Sequence, residues 1–132
     1  MLNTKQEVVD AIKAHFANVT TYAYAPGNRD VTGAIARCYY RSPEGYKCAI
    51  GCLIPDEMYD SKWDRSYSGG LSVNRVIEDG QISGIFNIDN YSVNWLRVIQ
   101  NWHDHCAGTG AAISVFIDGL DHAVDVDRAW WI

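Results

Sequence analysis

Residues 34–54 constrain the fold more strongly than any other part of the sequence, because two runs of apolar, aromatic and cysteine residues flank a turn signal there. The signal is Ser-Pro-Glu-Gly at 42–45. Proline suits the second position of a type I turn, and Gly45 suits the left-handed position that follows. The pattern predicts a β-hairpin over 34–54, in which Tyr40 pairs with Cys48.

The two faces of this hairpin differ in chemistry, since successive side chains of a strand point to opposite sides. One face carries apolar and thiol side chains, and the other carries mainly basic ones. The first consists of Cys38, Tyr40, Cys48, Ile50, Cys52 and Ile54, and the second of Arg37, Tyr39, Arg41 and Lys47. We therefore expect the first face to be buried and the second to be exposed to water.

Three of the four cysteines lie on the predicted buried face, and their role is open to three interpretations. The first, which we favour, is that they pack as small apolar side chains, since free cysteine is among the most buried residue types. The second is a metal site formed by Cys38, Cys48, Cys52 and His103. Against it, three residues separate Cys48 from Cys52, whereas two is the usual spacing in zinc sites. The third is a structural disulfide, and we expect no cofactor.

Four further segments have the patterns of helices. A capping box and an apolar stripe predict a helix over 4–18. An N-cap serine begins a short helix over 72–80 and a longer helix over 92–107, and a glycine ends each of them. The segment 110–124 has helical spacing of its apolar residues but also alternates in part as a strand would, and we favour a helix.

The fold class that these elements predict is α+β. We expect one small globular domain over residues 1–132, because a chain of this length can bury a single core. The hairpin, with or without a third strand near 82–88, packs its cysteine face against three or four helices. Helix packing is needed because an isolated hairpin is only marginally stable.

Charge and hydropathy exclude some classes of partner. The formal net charge is -5, whereas a protein that grips nucleic-acid phosphates needs a basic surface, so we expect no direct nucleic-acid binding. The sequence has neither a secretory signal nor the roughly 18 consecutive apolar residues of a membrane span. We therefore expect a cytoplasmic protein without membrane insertion, and we leave its oligomeric state open.

Enzyme signatures are missing from the sequence, which has no phosphate-cradling glycine motif, no nucleophile elbow and no zinc-protease helix. The adjacent His103 and Asp104 belong to its densest polar cluster, but a solvated helix end explains them as well. We therefore predict no catalytic residues. The alternative is a small enzyme or ligand-binding protein, metal-dependent in one version, with a pocket near His103, Asp104 and the cysteine hairpin.

Aromatic residues in predicted loops are the stronger functional signal. The chain has five tryptophans and eight tyrosines, and Trp and Tyr are enriched among the residues that dominate binding at protein interfaces. In the loop after the hairpin they lie beside carboxylates, a combination that suits a protein partner. The predicted partner-binding residues are Asp56, Glu57, Tyr59, Asp60, Trp63 and Tyr67.

Three stretches of the chain resemble a group of small phage and bacterial proteins to which no activity is assigned. They are Arg-Cys-Tyr-Tyr-Arg at 37–41, the run from Gly45 through Tyr-Lys-Cys-Ala-Ile-Gly-Cys-Leu-Ile-Pro-Asp-Glu-Met-Tyr at 46–59, and Leu-Arg-Val-Ile-Gln-Asn-Trp-His-Asp at 96–104. The resemblance implies a mobile-element setting and no particular chemistry. We predict a non-enzymatic accessory protein, an inhibitor that binds and occupies a host protein in the bacterial cytoplasm. A component of host defence is the partner we consider first.

Overall fold

Helices dominate the part of the chain that the computed structural model describes. The described residues are 1–23, 39–42, 44–64, 72–79 and 82–131. The α-helices are α1 (Lys5–Phe16), α2 (Val73–Asp79), α3 (Val93–Thr109) and α4 (Ile113–Gly119). Short 3-10 helices span Gly51–Leu53, Asp56–Met58, Ser61–Asp64, Ile82–Ile85 and Leu120–Val124.

The caps predicted for the two long helices are confirmed. The Thr4 hydroxyl accepts the backbone N–H of Glu7 at 3.1 Å, at the start of α1. At the start of α3, Ser92 accepts a backbone N–H in the same way. The end of α3 lies further on than predicted, because Gly108 continues the helix and Gly110 ends it with a left-handed φ of 72°.

Segment 110–124 is helical, as we favoured. It begins as α4 and continues through the 3-10 turn Leu120–Val124. Phe116, Leu120 and Ala123 are all fully buried, and they recur at the spacing of one helical face. Burial of this face against the other helices favours the helix over the alternating strand.

The predicted hairpin is wrong, although its turn has the expected register. Arg41 and Lys47 form an isolated antiparallel bridge, and Gly45 has a φ of 92°. No strand extends from this bridge among the described residues, because the chain enters a helical turn in which the carbonyl of Cys48 accepts the N–H of Cys52 at 3.0 Å. The first predicted strand falls mostly on 34–38, outside the described residues.

The predicted alternation of buried and exposed residues is wrong over 49–51, although Tyr40, Cys48, Ile50 and Ile54 of the predicted apolar face are buried. Ala49, which the hairpin would expose, is as fully buried as its neighbours Cys48 and Ile50. Consecutive buried residues suit a tight helical turn covered on several sides rather than a half-exposed strand. Backbone hydrogen bonds within this turn therefore take the place of a cross-strand ladder.

The third strand predicted near 82–88 is also wrong, because most of this segment is helical or irregular rather than extended. A 3-10 helix occupies Ile82–Ile85, and Phe86 forms only an isolated parallel bridge with Leu2. With no sheet in the described ranges, the α+β class is wrong for this part of the protein, which is mostly helical.

The core lies between α1, α3 and the C-terminal helical segment 113–124. Phe16 of α1 meets Phe116 of α4 edge to face, with ring centroids 4.9 Å apart. The indole N–H of Trp95 on α3 donates to the carbonyl of Ala123 at 2.7 Å. These contacts join the three elements by both apolar packing and hydrogen bonding. Within the described helices, none combines the length and apolarity needed to cross a membrane.

Candidate interaction surface

Five aromatic side chains from three segments of the chain meet in one cluster, and we call them the Trp/His surface. They are Trp102, His105, His122, Trp130 and Trp131. Helix α3 contributes the first two, one helical turn apart. The 3-10 turn after α4 contributes the third, and the irregular segment 125–131 contributes the two consecutive tryptophans.

The rings of this surface contact one another closely. Trp102 lies 5.6 Å from Trp130 and 5.2 Å from Trp131 between ring centroids. His105 is nearly parallel to Trp102, with an interplanar angle of 19°, and His122 is nearly parallel to Trp130, at 28°. These separations lie in the range of favourable aromatic contacts, so each ring restricts the rotation of its neighbours.

Trp102 forms the base of the surface. It is 7% exposed, and its indole N–H donates to the carbonyl of Phe116 at 2.9 Å. A Cβ added at Gly119 would lie 2.3 Å from the indole, so glycine permits this approach of α4 to the ring. The hydrogen bond and the close packing hold Trp102 in one orientation.

The other four rings are accessible. Trp130 and Trp131 are half-buried, while His105 and His122 are exposed. An ion pair between Asp127 and Lys5 of α1 ties the tryptophan segment to the helices. The surface therefore offers large aromatic groups whose positions are already restricted, and such groups lose little further freedom when a partner binds.

Two exposed carboxylates flank His122 of the Trp/His surface along the chain. Asp118 precedes His122 by four residues and Asp125 follows it by three, so both are within one helical turn of that histidine. Among the described residues neither forms an ion pair, whereas Asp121 pairs with Lys13.

The tryptophans were visible in the sequence, but only the chain reversal after α3 brings Trp130 and Trp131 onto Trp102.

Trp63, one of the aromatic residues of the predicted partner-binding site, is buried. Trp63 is 0% exposed and packs between Tyr40 and Tyr59, with ring centroids 6.5 Å and 5.7 Å away. It is part of the core, so it cannot contact a partner directly. Tyr67 lies outside the described residues.

Tyr59 is partly engaged inside the protein. Its hydroxyl donates to the carboxylate of Asp64, and the Arg41 guanidinium lies 4.5 Å from its ring. Asp64 also accepts the backbone N–H groups of Tyr40 at 2.7 Å and Arg41 at 3.1 Å. Burial, followed by the hydrogen bond to Asp64, raises the pKa of Tyr59, which keeps its hydroxyl a donor.

The acidic residues of the predicted site do lie at the surface, but basic groups neutralise part of their charge. Asp56 is paired with Arg41 at 2.8 Å and lies 3.6 Å from the Lys47 ammonium. Asp60 is half-buried and lies 3.4 Å from Lys62. Glu57 is exposed. The contacts of this region mainly stabilise the fold around Asp64.

His103 is buried, and the expectation of a solvated helix end is wrong for it. Its side chain is 0% exposed, and its Nδ1 lies 2.9 Å from Oδ1 of Asp104. The same carboxylate oxygen accepts the side-chain N–H of Gln100 at 3.0 Å, and Gln100 in turn accepts the backbone N–H of Ile50. This chain of hydrogen bonds joins α3 to the turn at Ile50.

The other nitrogen of His103 does not favour a catalytic role. Nε2 is buried and has no hydrogen-bond partner among the described residues. The ring lies within 6.0 Å of Phe16, and within 5.5 Å and 5.6 Å of Tyr22 and Phe116, between centroids. A general base must lie within hydrogen-bond reach of the proton that it takes from its substrate, whereas aromatic rings surround the imidazole of His103.

The geometry of the thiols does not favour the alternative metal site. The sulfur of Cys48 accepts the N–H of Gly51 at 3.2 Å, and that of Cys52 donates to the carbonyl of Ala49 at 3.1 Å. The part of the chain that the structure describes holds no group of three or more His, Cys, Asp or Glu side chains placed to bind a metal. Cys38 lies outside that part.

A pocket of about 340 Å³ opens where α3 ends. Its lining consists of small, hydroxyl and aliphatic groups, with no charged side chain. The lining residues are Thr20, Thr21, Tyr22, Ala107, Gly110, Ala111, Ala112 and Ile113. Neither His103 nor Asp104 is among them, so this pocket is not the one that the enzyme alternative places near these two residues.

Burial of the thiols predicts a loss of stability at alkaline pH. Burial raises the pKa of Cys106 to about 11 and that of Cys52 to about 12, above the value of an exposed thiol. The folded protein therefore holds these protons more tightly than the unfolded chain does. Their contribution to stability is complete below about pH 8.5 and is lost as the pH rises through the folded pKa values.

Urea denaturation at a series of pH values would measure this effect. We expect the unfolding midpoint to fall between about pH 8.5 and 10.5, and to fall less steeply in Cys106→Ala, which has one buried thiol fewer. A midpoint that stays constant over this interval would contradict the burial of the thiols.

Comparison of the chain with family models, with curated proteins and with solved structures gave no match. The resemblance to small phage and bacterial proteins stays a prediction.

Proposed function

We propose that this protein is a non-enzymatic binding protein that acts by occupying a partner protein through the Trp/His surface. The observation that carries the proposal is one cluster in which two half-buried tryptophans and two exposed histidines pack over the buried Trp102. Aromatic anchors of this kind dominate the binding energy of many interfaces. The site therefore moves from the predicted anchor Trp63 to Trp130 and Trp131.

Placement of the rings supports binding more than folding alone. Trp102 already fills the space against α4, whereas Trp130 and Trp131 lie over it and stay partly in contact with water. A partner that covered them would bury apolar area with little loss of side-chain freedom. Most of the free energy gained by burying these two rings would therefore contribute to the binding affinity.

The biological setting is part of the proposal and rests on the sequence resemblance. Small proteins of phages and mobile elements meet their targets in the cytoplasm of a bacterial host. A host protein is therefore the partner that we propose, and a component of host defence is the first candidate. An inhibitor needs no chemistry of its own, which agrees with the buried state of His103.

The proposal predicts that Trp131→Ala weakens capture of a partner. Tagged protein would be incubated with lysate of a candidate bacterial host, and the captured proteins would be quantified by mass spectrometry. Loss of an interface tryptophan commonly removes about 2 kcal/mol of binding free energy, which is about thirtyfold in affinity. We expect the principal captured protein to decrease accordingly.

Tyr46→Ala is the matched control. Tyr46 is an aromatic residue, 36% exposed, in the turn between Arg41 and Lys47 and outside the Trp/His surface. Its loss should leave capture unchanged, and circular dichroism would verify that both variants are folded. Equal capture by wild type and a folded Trp131→Ala would show that the surface does not bind the partner.

A further inference from the structure

We infer that the segment of the partner bound by the Trp/His surface is cationic, with an arginine or lysine lying against an accessible indole and close to Asp118 and Asp125. The inference rests on the proposed function and specifies the chemistry of its partner. It follows from the charges around the surface and from the way this protein uses its own cations.

Charge is the first argument. The segment 118–131 contains four aspartates against one arginine, Arg128, and one histidine, His122. Lys13 and Lys5 neutralise Asp121 and Asp127, which leaves Asp118 and Asp125 exposed and without ion pairs in the described ranges. A cationic segment complements these two carboxylates, whereas they would repel an acidic partner or a nucleic-acid backbone.

The indoles are the second argument. A cation over an aromatic face is attracted by the ring's quadrupole, and tryptophan is the best partner for it. The described residues already contain two such contacts, since the Lys5 ammonium lies 5.6 Å from the Trp95 ring and the Arg41 guanidinium lies 4.5 Å from the Tyr59 ring. Each of these cations also pairs with an aspartate, Asp127 or Asp56.

The Trp/His surface also combines aromatic rings with carboxylates, and among the described residues no lysine or arginine pairs with Asp118 or Asp125. His122 stacks on Trp130, and Asp118 and Asp125 lie within one helical turn of His122 along the chain. An arginine from outside would find an indole face and a carboxylate there together, as Arg41 finds Tyr59 and Asp56 within the protein. Arginine also stacks on aromatic rings through its planar guanidinium.

The test uses two labelled peptides of eight residues, one of alternating arginine and glycine and the other of alternating glutamate and glycine. Fluorescence anisotropy would measure their binding to the full chain at low and high salt. We expect the arginine peptide to bind and the glutamate peptide not to bind, with affinity decreasing as salt is raised because the contact is electrostatic.

Variants locate the binding site. The double variant Asp118→Asn with Asp125→Asn should weaken the arginine peptide about fivefold, since it removes two attractive charges. The control, Glu44→Gln with Glu57→Gln, removes the same charge from exposed positions elsewhere and should have no effect. Trp131→Ala should weaken the arginine peptide as well. All four aspartate and glutamate positions are exposed, so the variants should fold.

The outcomes separate this inference from the proposed function. Equal binding of the two peptides, or equal weakening by both double variants, would overturn the cationic partner. If lysate capture still depended on Trp131 in that case, the proposed function would stand with a partner of other chemistry. If Trp131→Ala changed neither lysate capture nor peptide binding, both would be wrong.

Discussion

Replacement of Asp64 by alanine should lower the free energy of unfolding by about 4 kcal/mol, the largest effect that we expect from a single polar side chain in this protein. The carboxylate is 5% exposed and accepts hydrogen bonds from the backbone of Tyr40, the backbone of Arg41 and the hydroxyl of Tyr59. Alanine would leave these donors without their acceptor in a buried setting, where an unmade hydrogen bond is expensive.

Urea denaturation would measure this change in the free energy of unfolding, and two further variants serve as comparisons. Tyr59→Phe removes only one of the three donors and should lower stability by about 1 kcal/mol. Glu57→Ala removes an exposed carboxylate from the neighbouring 3-10 helix and should change stability by less than about 0.5 kcal/mol. An Asp64→Ala protein as stable as Glu57→Ala would show that the carboxylate does not hold the turn.

Gly51→Ala should lower the free energy of unfolding by about 3 kcal/mol, at the upper end of the range for overpacking. An added Cβ would lie 2.2 Å from the carbonyl oxygen of Tyr40 and 2.9 Å from its carbonyl carbon. Both are backbone atoms, so no side-chain rotation can relieve the contact. The two segments would have to separate, which would disturb the hydrogen bond from the N–H of Cys48 to that oxygen.

Gly84→Ala is the control for this prediction. Gly84 also lies in a 3-10 helix, but a Cβ there would meet no atom within 4 Å. Alanine should therefore be neutral or stabilise the protein by up to about 1 kcal/mol, because it restricts the unfolded chain. If both glycine variants unfolded at the same urea concentration, the close approach of Gly51 to Tyr40 would be wrong.

Local patterns in the sequence were sufficient for the helices. The capping box at Thr4 and Glu7 and the apolar stripe of α1 act within a few residues, so they need no knowledge of the rest of the chain. The same is true of Ser92 and α3. The turn at 42–45 was also predictable, because Gly45 and its neighbours favour one local geometry.

The hairpin could not be judged in that way, because a short apolar run suits a strand and a buried helical turn equally well. Residues 48–54 became helical turns through contacts with distant parts of the chain. Ile50 donates its N–H to Gln100 of α3, and Gly51 packs on the backbone of Tyr40. Neither contact can be inferred from the spacing of apolar residues over 48–54.

The candidate site divides in the same way between sequence and tertiary structure. The number and type of aromatic residues, the acidic segment 118–127 and the helix that carries Trp102 and His105 follow from the sequence by itself, because composition and helical periodicity are local properties. Which aromatic residues are buried was decided only in three dimensions. The hydrogen bond from the backbone of Tyr40 to Asp64 holds the segment that contains Trp63 against the core. The chain reversal after α3 places Trp130 and Trp131 on Trp102, which lies more than 25 residues away along the chain. Long-range packing selects these contacts because burial depends on which surfaces meet, and no single stretch of sequence contains both of them.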